Sequence, residues 1–173
     1  TIISTARANG YEFATISGLL SLEGTYAPSQ LITQVKTDQK VVSLTVSGAS
    51  NATAIQQILQ ELASANVKAT FFLTGSANPI LIQQIVAQGH EIGNQTFSSS
   101  DATQKTAAEL AADLNQMETV IQDASGTSSK PYFRAPYGSV NDSVLATVGN
   151  LGYTSTIGWT VDSRDWTGIS STQ

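Results

Sequence analysis

The sequence predicts an α/β fold built from parallel strands. Apolar runs of strand length alternate with segments of helical spacing along the chain, and residues 41–46 and 69–73 are nearly continuous apolar runs. Such runs are typical of parallel strands covered on both faces, and regular alternation of strands and helices favours a parallel sheet. We therefore expect functional residues at the carboxyl ends of the strands.

Size and composition limit the classes of protein that this chain can be. Its 173 residues suffice for one domain with its own core. The net charge is −5 and the eight Lys and Arg residues are scattered, which excludes a nucleic-acid face and a basic membrane patch. The absence of cysteine excludes disulfides and thiolate metal sites. No apolar run approaches the ~18 residues of a membrane span.

The first 38 residues carry weaker signals. Residues 1–9 have the apolar spacing of a helix, which Gly10 would end. Residues 11–16 alternate as a short strand. Residues 23–38 show no clear periodicity, and we interpret them as a linker with one helical turn around residues 29–35.

Two later helices have explicit start and stop signals. Asn78 as N-cap and Pro79 at the first helical position open one helix, which Gly89 follows. Thr106 and Glu109 form a capping box that opens a long helix ending near Gly126. Spacing alone predicts the rest: helices around residues 55–66 and 144–149, and strands at 41–46, 69–73, 91–94, 132–134 and within 153–161.

The carboxyl ends of four strands would then lie together at one edge of the sheet, which we call the mouth. They are Ser47-Gly48, Asn94-Gln95, residues 134–137 and residues 162–166. The stretches around these ends read KATFFL (68–73), GHEIGN (89–94), FRAPYG (133–138) and DSRDW (162–166). Together they resemble the polysaccharide deacetylase family, also called the NodB-homology domain or carbohydrate esterase family 4, over residues 39–166.

The resemblance implies a distorted (β/α) barrel of fewer than eight parallel strands. Members of the family remove acetyl groups from N-acetylglucosamine in peptidoglycan or chitin, or from acetylated xylan. In them a zinc or another divalent metal, bound by two His and one Asp, activates a water, and a second Asp is the general base.

The chain departs from the family at the residues that perform this chemistry. The first motif, T-F-D-D-G, is TVSGA at residues 45–49, so Ser47 stands at the base position and Gly48 at a metal position. The motif H-[ST]-x-x-H is QTFSS, with Gln95 and Ser99 at the two histidine positions. The L-x-H motif, which supplies the general acid, would follow residue 166, and the chain ends before it. Because amides, hydroxyls and glycine make poor zinc ligands, we expect no catalytic residues, no metal and no cofactor.

The order of the chain is also unusual, since residues 1–22 resemble the helix and strand that normally close the domain. We interpret this as a circular permutation within one domain, residues 1–173, in which the 11–16 strand lies beside the 41–46 strand. The permutation would leave the strand with the L-x-H motif missing. Two alternatives are the tail of a preceding module and a chance similarity.

Other motif residues are retained and define a possible sugar-binding groove. These are Arg134, Pro136, Tyr137, Asp162, Asp165 and Trp166. In the family the Arg holds the base Asp, and the Asp at 165 orients the missing His. Arg134 and Asp165 therefore either line the groove or brace the mouth by pairing with each other or with nearby carbonyls. The lone His90 is expected to be structural.

The leading hypothesis is a catalytically inactive deacetylase-like domain that binds polysaccharide or serves as a structural module of a larger secreted or cell-wall protein in a bacterium. An active carbohydrate esterase with a non-standard site, or one completed by a partner chain, is the alternative. A purely structural spacer is the third interpretation. We expect no nucleic-acid partner.

Overall fold

The computed structural model describes residues 2–23, 30–48 and 50–167. Its helices are α1 (Ile2–Ala8), α2 (Ile16–Leu20), α3 (Ala52–Ser64), α4 (Pro79–Ala87), α5 (Ala107–Ser125) and α6 (Asp142–Asn150). Its strands are β1 (Glu12–Ala14), β2 (Gln30–Ile32), β3 (Val41–Ser43), β4 (Thr45–Gly48), β5 (Thr70–Leu73), β6 (Glu91–Asn94), β7 (Tyr132–Phe133) and β8 (Ser155–Ile157). Short 3-10 turns occupy Ala102–Gln104, Pro136–Gly138 and Asp165–Thr167.

The strands form two parallel sheets. The larger sheet has six strands in the order β2-β8-β7-β6-β5-β4, and the smaller one pairs β1 with β3. All pairings in the described ranges are parallel, which confirms the predicted α/β architecture. Gly48 and Asn94 both lie in register with Leu73, so β4, β5 and β6 end at the same level. That shared level forms the floor of the mouth.

The predicted helix signals are present. Asn78 caps α4 by accepting a hydrogen bond from the Ile80 N–H at 2.9 Å. Thr106 and Glu109 form the complete capping box of α5, and Gly126 ends that helix in the left-handed region at φ 70°. Such caps satisfy backbone groups that have no partner inside the helix, so they determine where these helices begin and end.

Strand β5 separates two parts of the core, and all four of its residues are buried. Its Phe71 and Leu73 pack against α3, α4 and α5, whereas Phe72 packs with Ile16 and Ile157 on the other side. Successive side chains of a strand point to opposite faces, so a strand covered on both faces must be apolar at every position. A third cluster surrounds Phe133 and includes residues of α5 and α6 together with Tyr153.

Three expectations for the first part of the chain need correction. The linker prediction for residues 23–38 is wrong in part, because Gln30–Ile32 forms strand β2 beside β8 rather than a helical turn. The continuous strand 41–46 is divided at Leu44 into β3 and β4, which belong to different sheets. The 11–16 strand is shorter than predicted, since Ile16 begins α2. Residues 24–29 of the expected linker lie outside the described ranges.

The predicted pairing of the N-terminal strand is confirmed. Glu12 lies in register with Val41, and Ala14 with Ser43, in a parallel pair. Within the described residues, no helix is long and apolar enough to cross a membrane.

Candidate functional site

Arg134 lies at the centre of the mouth, directly after β7. Its backbone N–H donates to the Asn94 carbonyl at 3.0 Å, which extends the β6–β7 pairing by one step. The side chain is 3 % exposed and reaches across the sheet to β4, where Nη1 donates to Thr45 Oγ1 at 2.9 Å and to Ser47 Oγ at 3.0 Å. Arg134 therefore joins the ends of β4 and β7.

The other side of the guanidinium faces β8. Nε donates to the Ile157 carbonyl at 3.2 Å and Nη2 to the Gly158 carbonyl at 3.0 Å. The group lies 4.1 Å from the ring centre of Phe72 and 5.5 Å from that of Trp159. Burial lowers the pKa of Arg134 to about 10, so the side chain remains positively charged at neutral pH.

Ser47 and Gly48 are the residues that the motif resemblance predicts at the positions of the two aspartates. Ser47 is exposed, and its hydroxyl accepts the hydrogen bond from Arg134. Gly48 adopts φ 91°, and a Cβ built on it would have no neighbour within 4 Å. Its carbonyl accepts from Thr74 Oγ1 at 3.2 Å, which ties the end of β4 to the loop after β5.

The loop from Gln95 to Ser99 has a strained backbone that hydrogen bonds support. Thr96 and Ser99 adopt φ 63° and 56°, values that side chains with a Cβ rarely take. The Thr96 N–H donates to Asn94 Oδ1 at 2.9 Å, and the Ser99 N–H donates to Thr96 Oγ1 at 3.1 Å. Gln95 is buried, and its Oε1 has no hydrogen-bond partner among the described residues.

Asp113 on α5 holds the same loop through hydrogen bonds. It accepts hydrogen bonds from the N–H and hydroxyl of Ser98 at 2.8 and 2.7 Å, and it forms an ion pair with Lys105 at 3.1 Å. Burial alone would raise the pKa of Asp113, but the bonds from Ser98 and the Lys105 ammonium outweigh it and hold the pKa below its usual value. These contacts within the chain support the conformation of the loop.

These residues do not fit a metal ion of the kind that the family uses. A catalytic zinc site takes three nitrogen, sulfur or carboxylate ligands and a water. The four positions instead hold two hydroxyls, one amide and a glycine without a side chain. Among the described residues, no three His, Cys, Asp or Glu side chains are grouped so that they could hold a metal ion.

The predicted groove residues do not form one continuous surface. Pro136 is buried, whereas Tyr137, at φ 60°, is 77 % exposed. Asp162 accepts from the Arg164 N–H at 2.9 Å, and Asp165 accepts from the Ser163 hydroxyl at 2.7 Å.

The segment that carries Asp162, Asp165 and Trp166 is fully exposed. Trp166 Nε1 lies 3.4 Å from Asp162 Oδ2, so the bonds of this segment are local. Of the two pairings considered for Arg134, the structure has the one with carbonyls and not the one with Asp165.

A small cleft beside Arg134 was not foreseen from the sequence. It has a volume of about 150 Å³. Its walls are mostly apolar and consist of Leu31, Thr33, Ala135, Gly138, Val140, Ile157, Gly158 and Trp159. Leu31 and Thr33 come from β2 and the residue after it, within the stretch predicted as a linker.

The spacing of Leu31-Ile32-Thr33 was the signal that could have revealed this wall. It equals that of the family's L-x-H motif, with Thr33 in place of His. Strand β2 pairs with β8 at the edge of the larger sheet. The absence of the L-x-H motif itself stays a prediction.

Comparison with known proteins agrees with these motifs. A family profile described as polysaccharide deacetylase matches residues 34–156. A chitooligosaccharide deacetylase from Sinorhizobium fredii is 35 % identical over 128 residues, which cover 72 % of this chain and 59 % of that protein. The chain thus spans about three fifths of the length of this curated relative.

Solved structures show the same fold. The chitin deacetylase of Colletotrichum lindemuthianum superposes with a TM-score of 0.77 at 28 % identity, covering 85 % of this chain and 67 % of that one. A CE4 family pseudoenzyme from Bacillus anthracis superposes with a TM-score of 0.76 at 28 % identity, covering 82 % of this chain and 51 % of that one. A mutant of that pseudoenzyme with restored enzymatic activity is equally similar, at a TM-score of 0.76. With its parallel sheet, its retained motifs and a family profile over most of its length, the chain belongs to the polysaccharide deacetylase family.

Proposed function

We propose that this chain is a deacetylase-like domain that binds carbohydrate without deacetylating it, as a module of a secreted or cell-wall protein. The observation that carries the proposal is the identity of Ser47, Gly48, Gln95 and Ser99 at the metal and base positions. Without a metal ion the attacking water keeps a pKa near ~16, and without a carboxylate nothing takes its proton.

The mouth itself supports a binding role. The loop from Gln95 to Ser99 and the Arg134 brace hold the strand ends in place through hydrogen bonds of the chain. Strained backbone is concentrated at functional sites, so the strained loop is consistent with a retained binding role.

Exposed aromatic rings, one of which lies at the cleft, support binding of sugar rings in particular. Trp159 is 41 % exposed at the cleft, and Tyr137 and Trp166 are more exposed still. Exposed aromatic faces are an apolar platform on which a sugar ring can stack, because one face of a sugar consists largely of C–H groups. The cleft has room for a small apolar group such as an acetyl methyl.

The direct test measures acetate release and metal binding by the full chain. We expect no acetate from chitooligosaccharides or peptidoglycan, and no stoichiometric binding of Zn²⁺ or Co²⁺ at sub-millimolar concentration in calorimetry. Acetate release abolished by a chelator would show a rebuilt metal site. Release that survives the chelator would show a metal-free esterase, and either result would refute the proposal.

A restoration experiment tests whether the loss lies in these four positions. The quadruple variant S47D/G48D/Q95H/S99H replaces them with the residues of the family, and we expect it to bind Zn²⁺ where the parent does not. Gly48→Asp carries a conformational cost, because φ 91° suits glycine. The matched control G48D/S99H restores only two of the positions and should not bind the ion. If the parent and the quadruple variant both bound zinc, the metal site would lie elsewhere. That result would contradict the explanation that metal binding was lost at these four positions.

Glycan binding is the positive half of the proposal. Titration with soluble chitooligosaccharides should change the fluorescence of Trp159, and Trp159→Leu should reduce the affinity. Trp166→Leu tests the exposed segment in the same way. If neither parent nor variants bind any chitin, peptidoglycan or xylan fragment, the domain is a structural spacer and the proposed binding role is wrong.

A further inference from the structure

The guanidinium of Arg134 is a buried cation whose hydrogen-bond partners are all neutral. Its four acceptors are the hydroxyls of Thr45 and Ser47 and the carbonyls of Ile157 and Gly158. These neutral acceptors take four of the five N–H groups of the guanidinium but leave its positive charge uncompensated. A buried charge without a counter-charge is far more costly than a buried polar group.

Among the described residues, no Asp or Glu side chain forms an ion pair with Arg134. The residues outside the described ranges contain no Asp or Glu. Burial is the sole cause of the lowered pKa of Arg134, whereas a neighbouring carboxylate would raise it.

Ser47 connects this charge to solvent. Its hydroxyl oxygen accepts from Arg134 Nη1 at 3.0 Å, so its own proton is free to donate to another acceptor. Donation from a charged group polarises the hydroxyl and strengthens the second bond. Ser47 is exposed, and the space where a Cβ on Gly48 would project is open. An acceptor that arrives at Ser47 therefore meets a strong donor and an unpaired positive charge behind it.

We propose that the mouth binds a carboxylate at Ser47, in the field of Arg134, and therefore prefers an acidic saccharide to a neutral one. A uronic acid residue or a lactyl-bearing amino sugar would supply this group. The saccharide part rests on the proposed function, whereas the anion part stands on the geometry of Arg134 alone. Repulsion by the net charge of −5 is screened within ~8 Å at physiological ionic strength and does not prevent contact.

The first experiment compares anions and sugars on the full chain. Sodium acetate, sodium glucuronate, glucose and a neutral chitooligosaccharide are titrated at constant ionic strength with sodium chloride. Binding is followed by the NMR signal of Arg134 Nε and by the thermal midpoint. We expect acetate to shift the signal, and glucuronate to bind about tenfold more tightly than glucose, as a hydrogen bond to a charged group should allow.

Ser47→Asp supplies a carboxylate from the chain itself. We expect this variant to have a higher thermal midpoint than the parent and to lose the response to acetate. Ser64→Asp is the matched control, because it adds the same charge at the exposed end of α3 and should respond to acetate as the parent does. Ser47→Ala removes the outward donor and should weaken the response while the fold is unchanged.

The outcomes separate the two parts of the inference. An equal acetate response in the parent and in Ser47→Asp, or none in the parent, would overturn the anion site. Acetate binding without any preference for glucuronate over glucose would indicate an adventitious anion only and refute the saccharide preference. Acetate binding with no saccharide bound at all would instead reject the proposed function and leave the anion site standing.

Discussion

His90 is the chain's one histidine, and it is a core residue. Its Nδ1 accepts a hydrogen bond from the Ala69 N–H at 3.1 Å, and its ring packs edge-on against Phe71. Burial, together with the positive charge of Lys68, lowers the pKa of His90 below 6.5. The structural role expected from its position before β6 agrees with these contacts.

We predict that the free energy of unfolding decreases as pH falls through the ordinary histidine range. The unfolded chain takes up a proton there, whereas folded His90 resists it, so acidification favours the unfolded state. Urea unfolding at pH 7.5 and 5.5 measures the effect. His90→Asn retains an acceptor for Ala69 and should flatten this dependence. An NMR titration that placed the pKa of His90 at or above 6.5 would contradict the prediction.

Tyr153 holds a buried polar network beneath the loop of the mouth. Its hydroxyl accepts from Asn94 Nδ2 at 2.7 Å and donates to Glu118 Oε2 at 3.1 Å. Burial alone would raise the pKa of Glu118, but hydrogen bonds from Ser128, Ser129 and Tyr153 outweigh it and lower the pKa. Since Asn94 also accepts from the Thr96 N–H, the network connects α5 to the loop.

Tyr153→Phe should lower the free energy of unfolding by about 1–3 kcal/mol, because it leaves buried partners unsatisfied. Tyr137→Phe, at an exposed ring, should change it by less than ~0.5 kcal/mol. Chemical denaturation of both variants checks this. Equal and small effects would show that the network contributes nothing measurable.

At the scale of elements, the close contact of β5 and β6 depends on Gly93. A Cβ at this position would overlap the ring of Phe72 and lie 3.2 Å from the Tyr132 carbonyl. Phe72 in turn lies beneath the guanidinium of Arg134 at 4.1 Å. The glycine therefore permits the packing that supports the centre of the mouth.

We predict that Gly93→Ala costs about 1–3 kcal/mol of stability through overpacking. The double variant G93A/F72L should be less destabilised than the sum of the two single variants, since the smaller side chain relieves the overlap. Thermal or urea unfolding of the three variants gives the coupling. Strict additivity would show that Phe72 is not the group that the new methyl displaces.

Element prediction succeeded where local chemistry decides the outcome. The caps at Asn78 and Thr106 act within one turn, so their residues alone identify the helix starts. Strand β2 shows the opposite case. Its three residues have no strand pattern of their own, and they are a strand because the free edge of β8 pairs with them.

At the scale of the whole molecule, the N-terminal segment is built into the same core as the deacetylase motifs. Ile16 is 5 % exposed and packs with Ile32, Phe72 and Ile157. Its N–H donates to Thr70 Oγ1 at 3.1 Å, and the Ser17 hydroxyl bonds to Glu91. Such contacts are expected if residues 1–22 belong to the same domain, which stays a prediction.

We predict that Ile16→Ala lowers the free energy of unfolding by about 2–5 kcal/mol, the usual range for a buried isoleucine. Ile2→Ala is the control at a 67 % exposed position and should change stability by less than ~0.5 kcal/mol. A cost for Ile16→Ala as small as that of the control would mean that the segment is only loosely attached to the domain.

The sequence motifs alone predicted the family and the parallel α/β fold. They also singled out Ser47, Gly48, Gln95 and Ser99, because motif positions can be identified locally. Tertiary structure alone decided which partners Arg134 takes, since Thr45, Ser47 and the carbonyls of β8 are distant in the chain. It also decided that residues 30–32 form an edge strand of the sheet and that Leu31 lines the cleft. Edge pairing and the orientation of a long side chain depend on which groups the rest of the fold leaves unpaired, so hydrophobic periodicity does not predict them.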